Sequence, residues 1–149
     1  MNAVAAIVIR YTRDLGYSRE LANLVWSGTF LASMIIRIPA GIFADRTSPF
    51  ISMALGAAFA ALGTVMQIFS TSFTLLITSR IVQGIGTAFF ISASIAGTYY
   101  VANARLGEAL GMRAAAIALG ALVGNSIIGP ILDSLGYRVA FSLPFVLFL

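Results

Sequence analysis

The side chains that could carry proton, metal or anion chemistry are few in this sequence. It has nine arginines, five acidic residues, and no lysine, histidine or cysteine. Histidine and cysteine are the commonest members of metal sites and of nucleophile–base pairs, and the acids do not occur as close pairs. The arginines are scattered rather than grouped as a nucleic-acid surface. We therefore expect no enzyme activity, no metal, no cofactor and no nucleic acid partner.

Two charged positions stand out because apolar sequence surrounds them. Arg80 is the only charged residue between Thr47 and Ala104. A guanidinium inside a membrane helix costs roughly 2.5–3.5 kcal/mol on insertion scales, so such a side chain usually faces protein or a cavity. Asp45 and Arg46 place an acid beside a base between two long apolar runs. The alternatives are that Arg80 snorkels or bonds a neighbouring helix, and that the charged pair is merely a solvated loop.

The surrounding sequence predicts an all-α, multi-pass membrane protein in contact with lipid. Hydrophobic residues make up 60% of the 149 positions and charged residues 9%, too few charges for a water-facing surface. A transmembrane helix needs about 20 mostly apolar residues, and charges and turn residues divide the sequence at nearly that interval. We predict one transmembrane helix bundle over residues 1–149, with spans at about 21–43, 49–69, 73–100 and 110–132 and incomplete spans at about 1–10 and 138–149.

Polar side chains recur at helical spacing on two of these spans. Each series follows one face of its helix, so the two faces together predict an aqueous path for a substrate or a proton. The alternative is that the Ser and Thr hydroxyls bond their own helix backbone. The path candidates are Arg80, Gln83 and Thr87 on the fourth span, Trp26, Thr29 and Ser33 on the second, and Asn125 on the fifth.

Small residues in the same spans predict close contacts between helices. Glycine lets two backbones approach each other, and G-x-x-x-G is a common contact sequence in membranes. A proline inside a span predicts a bend. The candidates for these roles are Gly84, Gly86, Gly120, Gly124, Gly129 and Pro130.

The stretch GIFADRTSPF, between the second and third spans, resembles the loop motif of the major facilitator superfamily. That motif has a glycine, an aspartate four residues later and then a basic residue, which Gly41, Asp45 and Arg46 match. The second glycine and two further basic residues of the motif are not present here. ITSRIVQGIGTAFF on the fourth span and GALVGNSIIGP on the fifth are also similar to patterns of the family. Together these matches cover essentially the whole chain.

The resemblance implies the N-terminal six-helix half of a twelve-helix secondary transporter that works by alternating access. In that fold helices one, two, four and five line the path and helix three lies outside it. The loop at Asp45 is implied to face the cytoplasm and to act as a latch against the other half. The repeated Gly-x-x-x-Asp at Gly41 and Gly129 agrees with a nested 3+3 inverted repeat.

The partners expected from this resemblance are a small-molecule substrate and either the missing C-terminal half or a second copy. The Gly-Pro pair of the fifth span favours export of drugs or metabolites across the cell membrane, with proton coupling as one possible drive. The alternative is a membrane scaffold or assembly subunit that transports nothing and binds partner helices through its small residues.

Overall fold

Five α-helices make up the described part of the chain. The structure, a computed structural model, describes residues 3–14, 16–102 and 105–148, and side-chain surroundings within residues 8–131 apart from 15, 103, 104, 125, 128 and 129. The helices are α1 (Ala3–Asp14), α2 (Arg19–Arg46), α3 (Pro49–Ile68), α4 (Phe73–Ala102) and α5 (Leu106–Phe148). Four segments are long and apolar enough to cross a membrane, namely α2, α3, α4 and the part of α5 from Leu106 to Gly124. The predicted all-helical membrane fold is therefore confirmed.

Serine side chains begin the helices that follow the short connections. The Ser18 hydroxyl accepts a hydrogen bond from the Leu21 N–H (3.4 Å), and the Ser48 hydroxyl accepts one from the Phe50 N–H (3.3 Å). Each bond satisfies an N–H group that has no partner within the first helical turn. Pro49 is the first residue of α3, a position where its missing N–H group is not needed. The turns in the sequence thus set where α2 and α3 begin.

The first and last helices differ from the sequence expectation. α1 continues to Asp14, beyond the expected end near residue 10. α5 runs without interruption from Leu106 to Phe148, where the sequence predicts two spans separated between 132 and 138. Its 43 residues would be roughly 65 Å long, about twice the hydrocarbon thickness. Gly136 is the only strong helix breaker between the two predicted spans, and a single glycine costs only about 1 kcal/mol.

α4 is central, with α2 on one side and α3 on the other. The contact with α3 is close because glycines face backbone: a Cβ atom added to Gly86 would lie 2.5 Å from the Ala60 nitrogen. On the opposite side of α4, Gly84 lies directly against the Thr29 carbonyl oxygen of α2. Any larger side chain at these two positions would force the helices apart. Glycine therefore allows α4 to lie close enough to α2 and α3 for its polar side chains to contact theirs.

Tyrosine side chains join the helix ends at one face of the bundle. We call this the first face; it carries the α1–α2 and α3–α4 connections, and the second face carries the α2–α3 and α4–α5 connections. The Tyr11 hydroxyl donates a hydrogen bond to the Ser70 carbonyl oxygen (2.5 Å). The Tyr17 ring lies 5.2 Å from the Phe73 ring between centroids. The end of α1 and the start of α2 are therefore both attached to the α3–α4 connection.

Candidate functional site

Arg80 lies in the third turn of α4, and only 2% of its surface is exposed. Its Nη1 donates a hydrogen bond to Oε1 of Gln83, one helical turn away (2.7 Å). The Gln83 Nε2 donates in turn to the Thr64 hydroxyl of α3 (3.3 Å), which donates to the Ala60 carbonyl oxygen of its own helix (2.8 Å). A hydrogen-bonded chain thus leads from the buried guanidinium of α4 to the backbone of α3.

Gln67 of α3 is the second partner of Arg80, and it is itself only 3% exposed. With its carboxamide oxygen facing the guanidinium, it accepts hydrogen bonds from Nε (3.1 Å) and Nη2 (2.8 Å). This orientation follows from the hydrogen-bonding pattern, because the opposite one would bring donors against donors. Two hydrogen bonds that converge on one oxygen hold the edge of the guanidinium and restrict its rotation.

Trp26 of α2 covers a face of the same guanidinium. The Arg80 Cζ lies 5.4 Å from the centroid of the indole ring, within the range of a cation–π interaction. Phe30 packs edge-on against Trp26, with 5.5 Å between ring centroids. We refer to Arg80, Gln83, Thr64, Gln67 and Trp26 as the Arg80 cluster.

The charge of Arg80 is held by neutral groups alone within the part of the chain that the structure describes. Its partners there are two amides and an indole, and two of the five guanidinium N–H groups have no partner among the described residues. Asp14, Glu20, Asp45 and Glu108 lie in the first or last turn of a helix, and Asp133 lies within α5 with its surroundings outside the described residues. A buried cation without a counter-ion is costly, which favours a functional reason for its presence and leaves donors for an anion.

Comparison with known proteins decides the family. The family model described as "Major Facilitator Superfamily" matches residues 1–149. The chain belongs to this superfamily. This is the family that the loop motif at Gly41, Asp45 and Arg46 resembles, and its members are membrane transport proteins.

The curated relatives of this superfamily member are longer transporters. An uncharacterised MFS-type transporter of Methanocaldococcus jannaschii is 30% identical over 141 residues, which are 93% of this chain and 36% of that protein. The chromaffin granule amine transporter of Rattus norvegicus is 31% identical over 107 residues, covering 68% of this chain and 20% of that protein. The vesicular acetylcholine transporter of the same organism is 28% identical over 121 residues, 80% of this chain and 23% of that protein. No solved structure matches the chain at a comparable level.

Two of the predicted path residues on α2 form no hydrogen bond with the Arg80 cluster. The hydroxyls of Thr29 and Ser33 are buried, and neither has a hydrogen-bond partner among the described residues. On α4, the Thr87 hydroxyl donates to the Gln83 carbonyl oxygen of its own helix (2.8 Å). Asn125 lies in α5, and its surroundings are outside the described residues. From the predicted stripes the structure thus brings together three side chains, those of Arg80, Gln83 and Trp26.

α3 contributes to the site, although the resemblance places the third helix outside the path. Thr64 and Gln67 are three residues apart and face α4. The expectation came from the resemblance, and the small and apolar residues that make up most of this span agreed with it. The overlooked signal is the spacing of these two polar residues, which share one face with Ala60.

The predicted gating loop is exposed at the second face. Asp45 and Arg46 are solvent-exposed at the end of α2, without hydrogen-bond or ion-pair partners among the described residues. α2 ends where the Thr47 hydroxyl donates to the Phe43 carbonyl oxygen (2.7 Å). A Cβ atom on Gly41 would meet no atom within 4 Å. The loop is thus accessible to a partner, and its role as a latch stays a prediction.

The predicted packing glycines fall into two groups. Gly84 and Gly86 lie at close helix contacts, whereas a Cβ atom on Gly120 or Gly124 would meet no described atom within 4 Å. No helix packs against this glycine face of α5 among the described residues, so the helix contact of the second pair stays a prediction. Gly129 lies in α5 with its surroundings outside the described residues, and α5 continues through Pro130 without ending there.

Proposed function

We propose that this chain is the N-terminal six-helix half of a twelve-helix secondary transporter that exports small organic molecules by alternating access. The observation that supports this most is the Arg80 cluster, a cation at membrane depth surrounded by amides and an indole. A scaffold whose helices contact only lipid and other helices gains nothing from a desolvated charge. A transporter can use such a group, because its interior binds a charged group in one state and releases it in another.

In this proposal, Arg80 pairs transiently with an anionic group that lies outside the described residues. A carboxylate elsewhere in the protein would bind the two remaining N–H groups when deprotonated and leave them when protonated. Gln67 and Gln83 keep the guanidinium in place while the anion is absent. Protonation of that carboxylate would then change which state of the transporter is favoured, which is the basis of proton-coupled export.

We propose organic amines as the cargo class. Two of the similar proteins are named as an amine transporter and an acetylcholine transporter. Aromatic faces attract such cations, and the bundle has a series of ring contacts: Phe43 lies 5.6 Å from Phe89, which lies 6.2 Å from Phe59. The proposed location is the cell membrane.

The partner in this proposal is the C-terminal half of the transporter, or a second copy of the chain. The exposed Asp45 and Arg46 would bind that partner in one of the two states, as a latch at the second face. The repeated Gly-x-x-x-Asp at Gly41 and Gly129 supports the nested 3+3 repeat as the underlying arrangement.

The test uses the full-length protein reconstituted in liposomes with a pH gradient. We expect ethidium, a fluorescent organic cation, to be transported and carboxyfluorescein, an organic anion, to be excluded. Arg80→Gln should abolish ethidium transport while the protein still elutes as a single species in gel filtration. Arg105→Gln is the matched control, because Arg105 is 82% exposed and pairs with Glu108. Equal transport by wild type and Arg80→Gln would contradict the role of the cluster, and a failure of wild type to move any of a series of organic amines would favour the scaffold.

A further inference from the structure

A second charged site lies in a groove between α3, α4 and α5, away from the Arg80 cluster. The groove begins at the second face as a cavity of about 430 Å³, lined by Phe50, Val101 and Met112 from the helix ends that meet there. A second cavity of about 360 Å³ continues deeper along the same helices, next to Ala116 of α5. Arg113 and Ser94 line both cavities, so they mark the point where the outer cavity passes into the inner one. We call this the Arg113 groove.

Arg113 lies about two turns into α5, within the membrane-spanning segment Leu106–Gly124. Its Nε donates a hydrogen bond to the Ser94 hydroxyl of α4 (2.7 Å), which fixes the guanidinium in the groove. Nη1 and Nη2 have no partner in the described part of the chain. The neighbouring charges at the start of α5, Arg105 just before it and Glu108 in its first turn, pair with each other (3.2 Å) and are exposed. The groove therefore carries a positive charge that no described acid compensates.

We infer that the Arg113 groove binds an anionic phospholipid, with the lipid phosphate on Arg113 and an acyl chain in the inner cavity. Charge complementarity selects an anion, and the terminal N–H groups of a guanidinium match two phosphate oxygens. The apolar walls select a lipid over a water-soluble anion: Ile91, Ala116 and Ile117 line the inner cavity, and hydrocarbon is the solvent that suits such surfaces. Basic pockets between membrane helices are recognised sites for anionic head groups.

The order of groups along the groove matches the order of groups in a phospholipid. The outer cavity lies where the first turn of α3, the last turn of α4 and the first turns of α5 meet, which is the level of the head groups. The guanidinium of Arg113 follows, and the apolar inner cavity lies beyond it towards the middle of the membrane. A bound lipid would also fill the space that separates α5 from α3 and α4, since none of the segment Leu106–Gly124 is buried by protein.

Native mass spectrometry of the full-length transporter in detergent tests this inference, with phosphatidylglycerol and phosphatidylcholine added separately. We expect the wild type to retain phosphatidylglycerol in preference to phosphatidylcholine, and Arg113→Gln to weaken phosphatidylglycerol binding by about tenfold, the effect of losing one charged hydrogen-bonded contact. Arg105→Gln removes the same charge immediately before the same helix and should retain the lipid as the wild type does. Added glycerol phosphate, a soluble anion, should not displace the lipid.

A second variant tests the acyl-chain part and does not depend on the folding of Arg113→Gln. Ala116→Phe adds bulk to the inner cavity without changing charge, and we expect it also to lower phosphatidylglycerol retention. Equal retention by wild type and Arg113→Gln, equal losses in Arg105→Gln and Arg113→Gln, or equal affinity for the two lipids would overturn the inference. So would full retention by Ala116→Phe, or displacement by glycerol phosphate. None of these readouts depends on transport, so the inference and the proposed transport function can fail separately.

Discussion

The α3–α4 pair and the first part of α5 have nearly the same hydropathy, but they differ in how much of their surface is buried by protein. The most apolar windows of α4 and of Leu106–Gly124 have mean hydropathies of 1.4 and 1.5, yet 33% of the first window is buried by protein and none of the second. The glycines show the same contrast, since a Cβ atom on Gly86 would meet Ala60 and Gly56, whereas one on Gly111 would meet nothing within 4 Å. Hydropathy alone therefore identifies the spans without identifying which of them pack.

The contrast has a physical reason in the solvent. Lipid is as apolar as the side chains it surrounds, so apolar residues are not driven towards one another inside a membrane. Close backbone approach and polar bonds between helices must supply the contact instead. α3 and α4 have both, in Gly86 and in the bonds from Arg80 to Gln67. The described part of α5 has one such bond to α4, from Arg113 to Ser94.

The largest effect should come from breaking the close contact of the tight pair. Gly86→Leu would place a side chain whose Cβ atom lies 2.5 Å from the Ala60 nitrogen and 2.6 Å from the Gly56 carbonyl oxygen. Backbone atoms cannot move aside as a flexible side chain can, so we expect loss of folded protein in fluorescence-detected gel filtration. Gly111→Leu in α5 is the matched control and should elute normally. Normal elution of Gly86→Leu would show that α3 and α4 do not approach this closely.

The next effect should come from keeping the charge of the Arg80 cluster but changing its shape. Arg80→Lys retains the cation but cannot bond Gln67 twice and Gln83 at the same time. We expect the initial rate of ethidium transport to fall by at least about tenfold, because a compact ammonium lacks the planar fork of a guanidinium. A rate close to that of wild type would mean that charge alone suffices there.

A smaller effect should follow from removing the hydrogen bonds that Gln67 of α3 accepts from Arg80. Gln67→Leu frees one edge of the guanidinium, and Trp26, the only tryptophan of this chain, should report the change in its fluorescence emission. The signal is obtained as the difference from a Trp26→Phe variant, so that tryptophans elsewhere in the full-length protein cancel. We expect a shifted emission maximum and a transport rate lowered several-fold, because the guanidinium occupies its position over Trp26 for a smaller fraction of the time.

Two variants separate positioning by Gln67 from simple packing. Gln67→Glu should restore the position of Arg80 over Trp26 but lower transport, since a buried carboxylate neutralises the charge that the cycle needs. Thr87→Val removes a hydroxyl that bonds only its own helix and should change neither readout. An emission spectrum of Gln67→Leu identical to that of wild type would rule out the positioning role.

The smallest effect should come from the unpacked region. Gly120→Ala in α5 adds a methyl group where no atom lies within 4 Å. We expect thermal stability in detergent to stay the same or to rise by up to about 1 kcal/mol, because alanine favours the helix over glycine. A clear loss of stability would show that the glycine face of α5 is covered in the full-length protein, as the G-x-x-x-G spacing predicts.

Much of the fold and part of the candidate site could be predicted from the sequence. Apolar length, charges and turn residues located α2, α3 and α4, and helical spacing linked Arg80 to Gln83. Gln67 was missed because periodicity within one helix does not show which neighbour its face meets. Its alignment with Gly56, Ala60 and Thr64 on one face of α3 is the signal that could have placed it opposite α4.

The course of α5 could not be predicted for a different reason. A break between two spans depends on how they pack against the rest of the bundle, and local sequence supplies only the weak preference of Gly136 against helix. The contact of Arg113 could not be predicted for the same reason, because the residue that it meets depends on how α5 packs against α4. The structure puts it several residues beyond Leu106 and against Ser94.

In the proposed alternating-access cycle, the tyrosine contacts at the first face restrict how that side of the bundle can open. Because Tyr11 bonds Ser70 and Tyr17 lies against Phe73, the ends of four helices there are attached to one another. Independent swinging of a single helix would break those attachments, so access from that side is expected to change by tilting of the whole bundle as a rigid unit. The hinge for such a tilt must then lie outside α1 to α4.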